Sequence, residues 1–79
     1  MSELKNKQLH NTGCNLLTLS LQGLWISVDE LTNAIDCFVK TDDMNYFKPV
    51  TELQEIMTNL SHNIFLLTEL KEEMKEKNV

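Results

Sequence analysis

The segment LLTLSLQGLWISVDEL, residues 16–31, can be interpreted as a strand or as a helix, and the choice decides the fold class. Leu17, Leu19 and Leu21 alternate with polar residues, as they would in a half-buried strand. The alternation ends there, because an uninterrupted apolar run follows at residues 24–26 and no paired-turn dipeptide separates two strands. The strand interpretation is therefore the weaker one.

Apolar residues that recur in steps of four and three favour the helix. This spacing places side chains on one face of a helix, and it continues well beyond the quoted segment. It predicts a first helix over residues 13–40. The residues that carry this seam are Cys14, Leu17, Leu21, Leu24, Val28, Leu31, Ile35 and Phe38.

A break in this helix near residues 23–27 is the alternative. Gly23 costs up to about 1 kcal/mol relative to alanine inside a helix. Ser27 and Glu30 have the spacing of a capping box, in which each side chain bonds the backbone N–H of the other residue at a helix start. A continuous helix is favoured, because the apolar seam keeps its phase across this region.

The second half of the chain predicts one more helix. Residues 41–48 are rich in turn-forming residues and are followed by the only proline, Pro49, so they read as a connection. A helix is expected over residues 49–76 on the seam Val50, Leu53, Met57, Leu60, Ile64, Leu67 and Met74, with Lys71 as its polar exception. Residues 1–12 are polar and are expected to be a flexible N-terminal segment of a single domain, 1–79.

Two such helices predict an all-α antiparallel hairpin. Its core is expected to hold Leu17, Leu21, Leu24, Val28, Leu31, Ile35, Phe38, Leu53, Met57, Leu60, Ile64 and Leu67. Each helix also carries apolar residues outside its seam, and a two-helix hairpin has no second layer to bury them. A homodimer forming a four-helix bundle is therefore expected, with Asn63 as a buried amide that specifies pairing. A third helix from a broken first segment is the alternative.

Charge and composition limit the classes of molecule that the protein is expected to bind. The chain has 12 acidic residues, 7 lysines and no arginine, for a net charge of −5. Nucleic acid is an unexpected partner for such a surface, because binding is driven by cationic side chains. No signal peptide or apolar membrane span is present in the sequence, so a cytoplasmic protein with two free thiols, and without membrane association, is expected.

No residue pattern predicts catalysis or a cofactor. His10 and Cys14 are four apart and would share a helix face, but a zinc site needs at least three protein ligands. His62 and Cys37 could complete the set of ligands only through a particular fold. Cys37 is expected to be a small apolar residue buried in the core. The acidic pairs 42–43 and 72–73 are interpreted as solvated surface. We expect neither an enzyme nor a metal or cofactor site.

Large apolar residues outside the seam are candidates for binding another protein. They are Met44, Tyr46 and Phe47 in the connection, and Trp25 and Ile26 in the first helix. The simpler interpretations are that the first three plug the end of the bundle and that the other two lie in a dimer core. The expected function is that of a small protein-binding module, such as a co-chaperone, an adaptor or an inhibitor, whose acidic rim steers a basic partner. A dimeric transcription-associated regulator that contacts DNA through Lys5 and Lys7, and a metal or thiol sensor, are the alternatives.

Overall fold

The computed structural model describes residues 2–77 and contains two long helices. Helix α1 spans Ser2–Lys40, a single 3₁₀ turn covers Met44–Tyr46, and helix α2 spans Phe47–Glu76. No strand occurs among the described residues. The prediction of an all-α protein with two helices is confirmed, and the strand interpretation of residues 16–31 is excluded. The molecule is a rod with extents of 63 × 15 × 13 Å.

Helix α1 is continuous through the region of the alternative break. Ser27 does not cap a helix, since its Oγ donates to the carbonyl of Gly23 at 3.0 Å. This is the bond that a serine makes within a helix, to the residue four positions earlier. Gly23 itself has no positive φ angle. The apolar seam on both sides of the region holds it helical, and the capping-box spacing is not used.

Helix α1 also begins at Ser2, whereas the sequence predicted a flexible segment over residues 1–12. Met1 lies outside the described residues. The segment from residue 2 is rich in leucine, lysine and glutamine, which have high helix propensity, and Glu3 lies in the first turn, where the helix dipole favours an acid. The polar side chains of this segment keep it exposed, but they are compatible with a helical backbone.

The connection is shorter than the predicted 41–48, because α2 begins at Phe47 instead of residue 49. Asp42 adopts a left-handed conformation with φ of 60°, which aspartate tolerates better than most residues. Asp43 then caps the 3₁₀ turn, since its Oδ1 accepts from the backbone N–H of Asn45 at 2.9 Å. Pro49 lies in the first turn of α2, where no carbonyl requires its missing N–H.

The two helices bury one apolar stripe each against the other. Ile64 is the most enclosed side chain, with 1% of its surface exposed. The fully buried residues are Leu21, Val28, Ile35, Val50 and Ile64. The partly buried ones from the predicted core are Leu17, Leu24, Leu31, Leu53, Met57, Leu60 and Leu67. Phe38, the last seam residue of α1, lies at the margin with 36% exposed.

The helices run antiparallel, and residues at equal distances from the connection lie level with each other. Thr32 Oγ1 lies 3.2 Å from Met57 Sδ, and Met74 shares a groove with Cys14 near the other end. Helix α1 has 39 residues and α2 has 30. By this pairing, residues 2–11 of α1 extend past the end of α2, and we call this segment the overhang.

We predict that Leu21→Ala lowers the free energy of unfolding by about 2–5 kcal/mol, because Leu21 is 6% exposed and its truncation leaves a cavity in the seam. Leu19→Ala is the matched control in the same helix, with a side chain 61% exposed, and it should change stability by less than about 0.5 kcal/mol. Urea denaturation at one protein concentration measures both. Equal effects of the two substitutions would show that the seam is misassigned.

Gly23→Ala should raise the free energy of unfolding by about 0.5–1 kcal/mol, because alanine has the higher helix propensity. A Cβ added at Gly23 meets no atom within 4 Å in the chain. Thermal unfolding followed by circular dichroism measures the change. A destabilised variant would instead indicate a break at this position.

Candidate functional site

Most of the large apolar side chains lie on the outside of the single chain. Among residues 2–77, five residues are buried, whereas sixteen large hydrophobic residues are 36% exposed or more. Surface apolar residues are normal when scattered singly, but a contiguous set marks an interaction surface. The exposed residues of this chain are therefore the candidate functional site, and their distribution around the rod decides what they can bind.

Helix geometry separates the exposed residues into two long sides of the hairpin. Residues seven apart project in nearly the same direction from a helix. On each helix, the residue one position before a stripe residue lies on one side of the stripe, and the residue one position after it lies on the other side. Because the two helices are antiparallel, the "before" positions of both helices share one long side of the hairpin, and the "after" positions share the other. The stripe is centred on Leu21, Val28 and Ile35 in α1, and on Val50, Met57 and Ile64 in α2.

The first side combines small residues of α1 with large aliphatic residues of α2, and we call it the aliphatic side. The small residues are Gly13, Ser20, Ser27 and Ala34, and the large ones of α2 are Ile56, Leu66 and Leu70, with Leu16 of α1 beside them. Asn63 lies between Ile56 and Leu70 on the same line. The small side chains leave a groove of about 410 Å³. Its lining includes Leu9, Gly13, Leu16, Ser20 and Met74.

The second side carries two aromatic residues at nearly the same height, and we call it the aromatic side. Trp25 and Phe65 follow the stripe residues Leu24 and Ile64, and they are 50% and 60% exposed. Ile26, which is 58% exposed, adjoins Trp25 towards the back of α1. Within the single chain, neither Trp25 nor Ile26 is enclosed. Whether a second copy covers them, as the dimer-core interpretation required, depends on which side pairs.

The connection end holds the other candidate binding residues. Tyr46 stacks on Phe38 with ring centroids 5.2 Å apart, as an end plug would. Met44 and Phe47 are 83% and 72% exposed, so the end-plug interpretation is wrong for these two in the single chain. Together with Val39, these side chains line a pocket of about 190 Å³. The 3₁₀ turn explains the difference, because it directs Tyr46 back along α1 and leaves its neighbours outside.

Charge differs between the two ends of α1. At the connection end, Lys40 Nζ lies 2.8 Å from Asp36 Oδ2, and the hydrogen bond to this carboxylate raises the pKa of Lys40. Asp42 and Asp43 have no ion-pair partner within the described part of the chain. The overhang carries Lys5 and Lys7. With Glu3 and Lys48 included, the overhang has a net charge of +1 (two lysines and one glutamate), and residues 41–48 have a net charge of −1 (two aspartates and one lysine).

The cysteines and histidines do not form a metal site. Cys14 Sγ lies 3.7 Å from His10 Nε2, as their spacing on one helix face predicts. Cys37 is exposed, so its expected role as a buried filler is wrong. It lies two positions after Ile35 and faces away from α2. Over residues 2–77, no three histidine, cysteine or acidic side chains are grouped to hold a metal ion.

Comparison with known proteins found no matching family model, no similar curated protein and no similar solved structure. Neither of the two long helices in the described part of the chain has the length of apolar sequence that a membrane span requires. The candidate site therefore has to be interpreted from its own chemistry.

Proposed function

We propose that this protein is a small, non-catalytic binding module that forms a homodimer through its aliphatic side and binds another protein through its aromatic side. The observation that carries the proposal is the excess of exposed apolar residues over buried ones. The dimer is a four-helix bundle, and the role of the module is that of a co-chaperone, an adaptor or an inhibitor of another protein.

The accessible surface supports the dimer. The chain exposes 6463 Å², whereas a compact folded monomer of this mass exposes about 4,900 Å². The excess is about 1,500 Å², because a rod of two helices has no second layer. A stable interface of standard size removes about 800 Å² from each partner. Pairing along one long side of the rod would therefore remove about half of this excess from each copy.

The aliphatic side suits a second copy better than the aromatic side does. Its small residues in α1 allow close approach of another helix, and its leucines and isoleucine in α2 are interrupted by the amides Asn59 and Asn63. An amide at such a position restricts register, because it must find a hydrogen-bonding partner when it is buried. The aromatic side lacks these features. Its Trp25 and Phe65 lie together at one height, with the hydroxyl residues Thr32 and Thr68 on either side of them along the rod.

The aromatic side is proposed to bind a basic amphipathic helix of another protein. Tryptophan and phenylalanine are enriched in interface cores, where they supply large apolar area. Asp29 follows Trp25 by one helical turn, and Glu69 follows Phe65 by one turn. A partner with apolar residues on one face and lysine or arginine beside them would satisfy both the aromatic residues and this acidic rim.

Sedimentation equilibrium should give about twice the chain mass of 9.2 kDa. Leu70→Lys should give a monomer that remains helical, because it places a charge in the aliphatic side. Trp25→Lys is the control on the opposite side and should remain dimeric. A wild-type monomer would refute the dimer, and a monomeric Trp25→Lys with a dimeric Leu70→Lys would show that the wrong side was chosen.

The fluorescence of Trp25, the only tryptophan, should report binding on the aromatic side. We expect a designed helical peptide with leucine on one face and lysine on the other to shift the emission to shorter wavelength. The same peptide with glutamate in place of lysine should have little effect. Phe65→Gln should weaken binding of the lysine peptide while the dimer persists. An unchanged spectrum with both peptides, or equal responses to them, would contradict the proposed specificity.

A further inference from the structure

We infer that the overhang of one copy is seated on the connection end of a second copy, so that the dimer is closed at both ends by reciprocal clasps. This inference rests on the proposed dimer and specifies its direction and register. In the clasp, Lys5 and Lys7 of one copy lie beside Asp42 and Asp43 of the other. Leu9 lies beside the apolar pocket that contains Met44.

The spacing of residues on the aliphatic side defines the register. Ile56, Asn63 and Leu70 are seven apart, so they are symmetric about Asn63. When α2 pairs antiparallel with α2 of the second copy about a two-fold axis at Asn63, Ile56 of each copy meets Leu70 of the other. The two Asn63 amides then meet on the axis, where each can donate to the other.

The alignment of α1 with α2 inside the hairpin shows where this register places α1. Asn63 is level with Trp25, since Thr32 is level with Met57 and each step along one helix is matched by a step back along the other. A two-fold axis at this height, perpendicular to the helices, places α1 antiparallel to α1 of the second copy. A residue of one copy is then level with a residue of the other when their two numbers add up to about 50. The overhang, residues 2–11, then lies level with the connection and the adjoining ends of both helices in the second copy.

The charges at the two ends of α1 are complementary in this arrangement. Lys5 and Lys7 are the only lysines in the first half of α1, and they meet Asp42 and Asp43, which have no ion-pair partner among residues 2–77. A parallel dimer would instead bring the lysines of both copies together and the acidic pairs together.

The clasp also gives cover to apolar residues that a single hairpin leaves uncovered. Leu9 is 60% exposed on the overhang and lines the groove of the aliphatic side. Met44 is 83% exposed at the connection. Each end of the antiparallel dimer brings one overhang together with one connection end. The unpaired length of α1 therefore completes the bundle where the second copy has only its short connection.

Carbodiimide coupling tests the clasp on the unmodified protein, because it joins a lysine amine directly to a nearby carboxylate. Lys7 and Asp42 of one chain are separated by about 50 Å along α1, so a bond between them must join two chains. We expect peptide mass spectrometry to find Lys5 or Lys7 joined to Asp42 or Asp43. In a mixture of light and isotope-labelled chains, these peptides should be mixed in mass.

Lys5→Arg with Lys7→Arg is the matched control, because arginine keeps the charge but does not couple. This variant should remain dimeric and lose the bonds. Lys5→Glu with Lys7→Glu should raise the dissociation constant of the dimer about tenfold at low salt and less at high salt. A dimer in which these lysines couple only to carboxylates outside the connection would overturn the clasp and leave the dimer standing. A monomeric wild-type protein would overturn both.

Discussion

A hairpin of two helices has a single seam, and this limit on burial governs the rest of the molecule. Each helix can bury only the stripe that faces the other, so Ile64 is enclosed while Ile56, two turns earlier on the same helix, is 56% exposed. The chain nevertheless carries enough leucine, isoleucine and aromatic residues for a second layer. Helix packing around Leu21, Val28 and Ile64 holds the hairpin together, and the apolar surface outside this seam is the support for the proposed association.

The helical architecture could be predicted because one periodic signal extends through both halves of the chain. The stripe that the structure encloses follows the steps of four and three from Cys14 to Ile35 and from Val50 to Leu67. The periodic signal also predicted a continuous helix correctly where local residues favoured a break. Gly23 and Ser27 resemble a helix end when considered alone, yet the helix passes through them, because side-chain packing on both sides contributes more than the preferences of two residues.

The ends of the helices and the exposure of individual residues were harder to predict. Residues 2–12 have no apolar stripe, so the periodic signal predicts no helix there, although lysine, glutamine and leucine favour a helix even where nothing packs on it. The early start of α2 at Phe47 depends on the 3₁₀ turn that Asp43 caps. Cys37 was expected inside because cysteine is commonly buried. Its position relative to Ile35 places it outside the seam, and this could have been derived from the helical period.

The overhang and the connection end differ in a complementary way, and this links the fold to the proposed assembly. The overhang is a helix without a neighbour, and the connection end is a pair of helices whose bundle is closed only by Tyr46 on Phe38. A symmetric dimer doubles each feature, so any arrangement must place two overhangs and two connection ends. An antiparallel arrangement matches them, lysine to aspartate and leucine to methionine, while a parallel one leaves both overhangs at the same end without a partner helix. The greater length of α1 fits the proposed dimer, in which α1 would span the connection of the second copy.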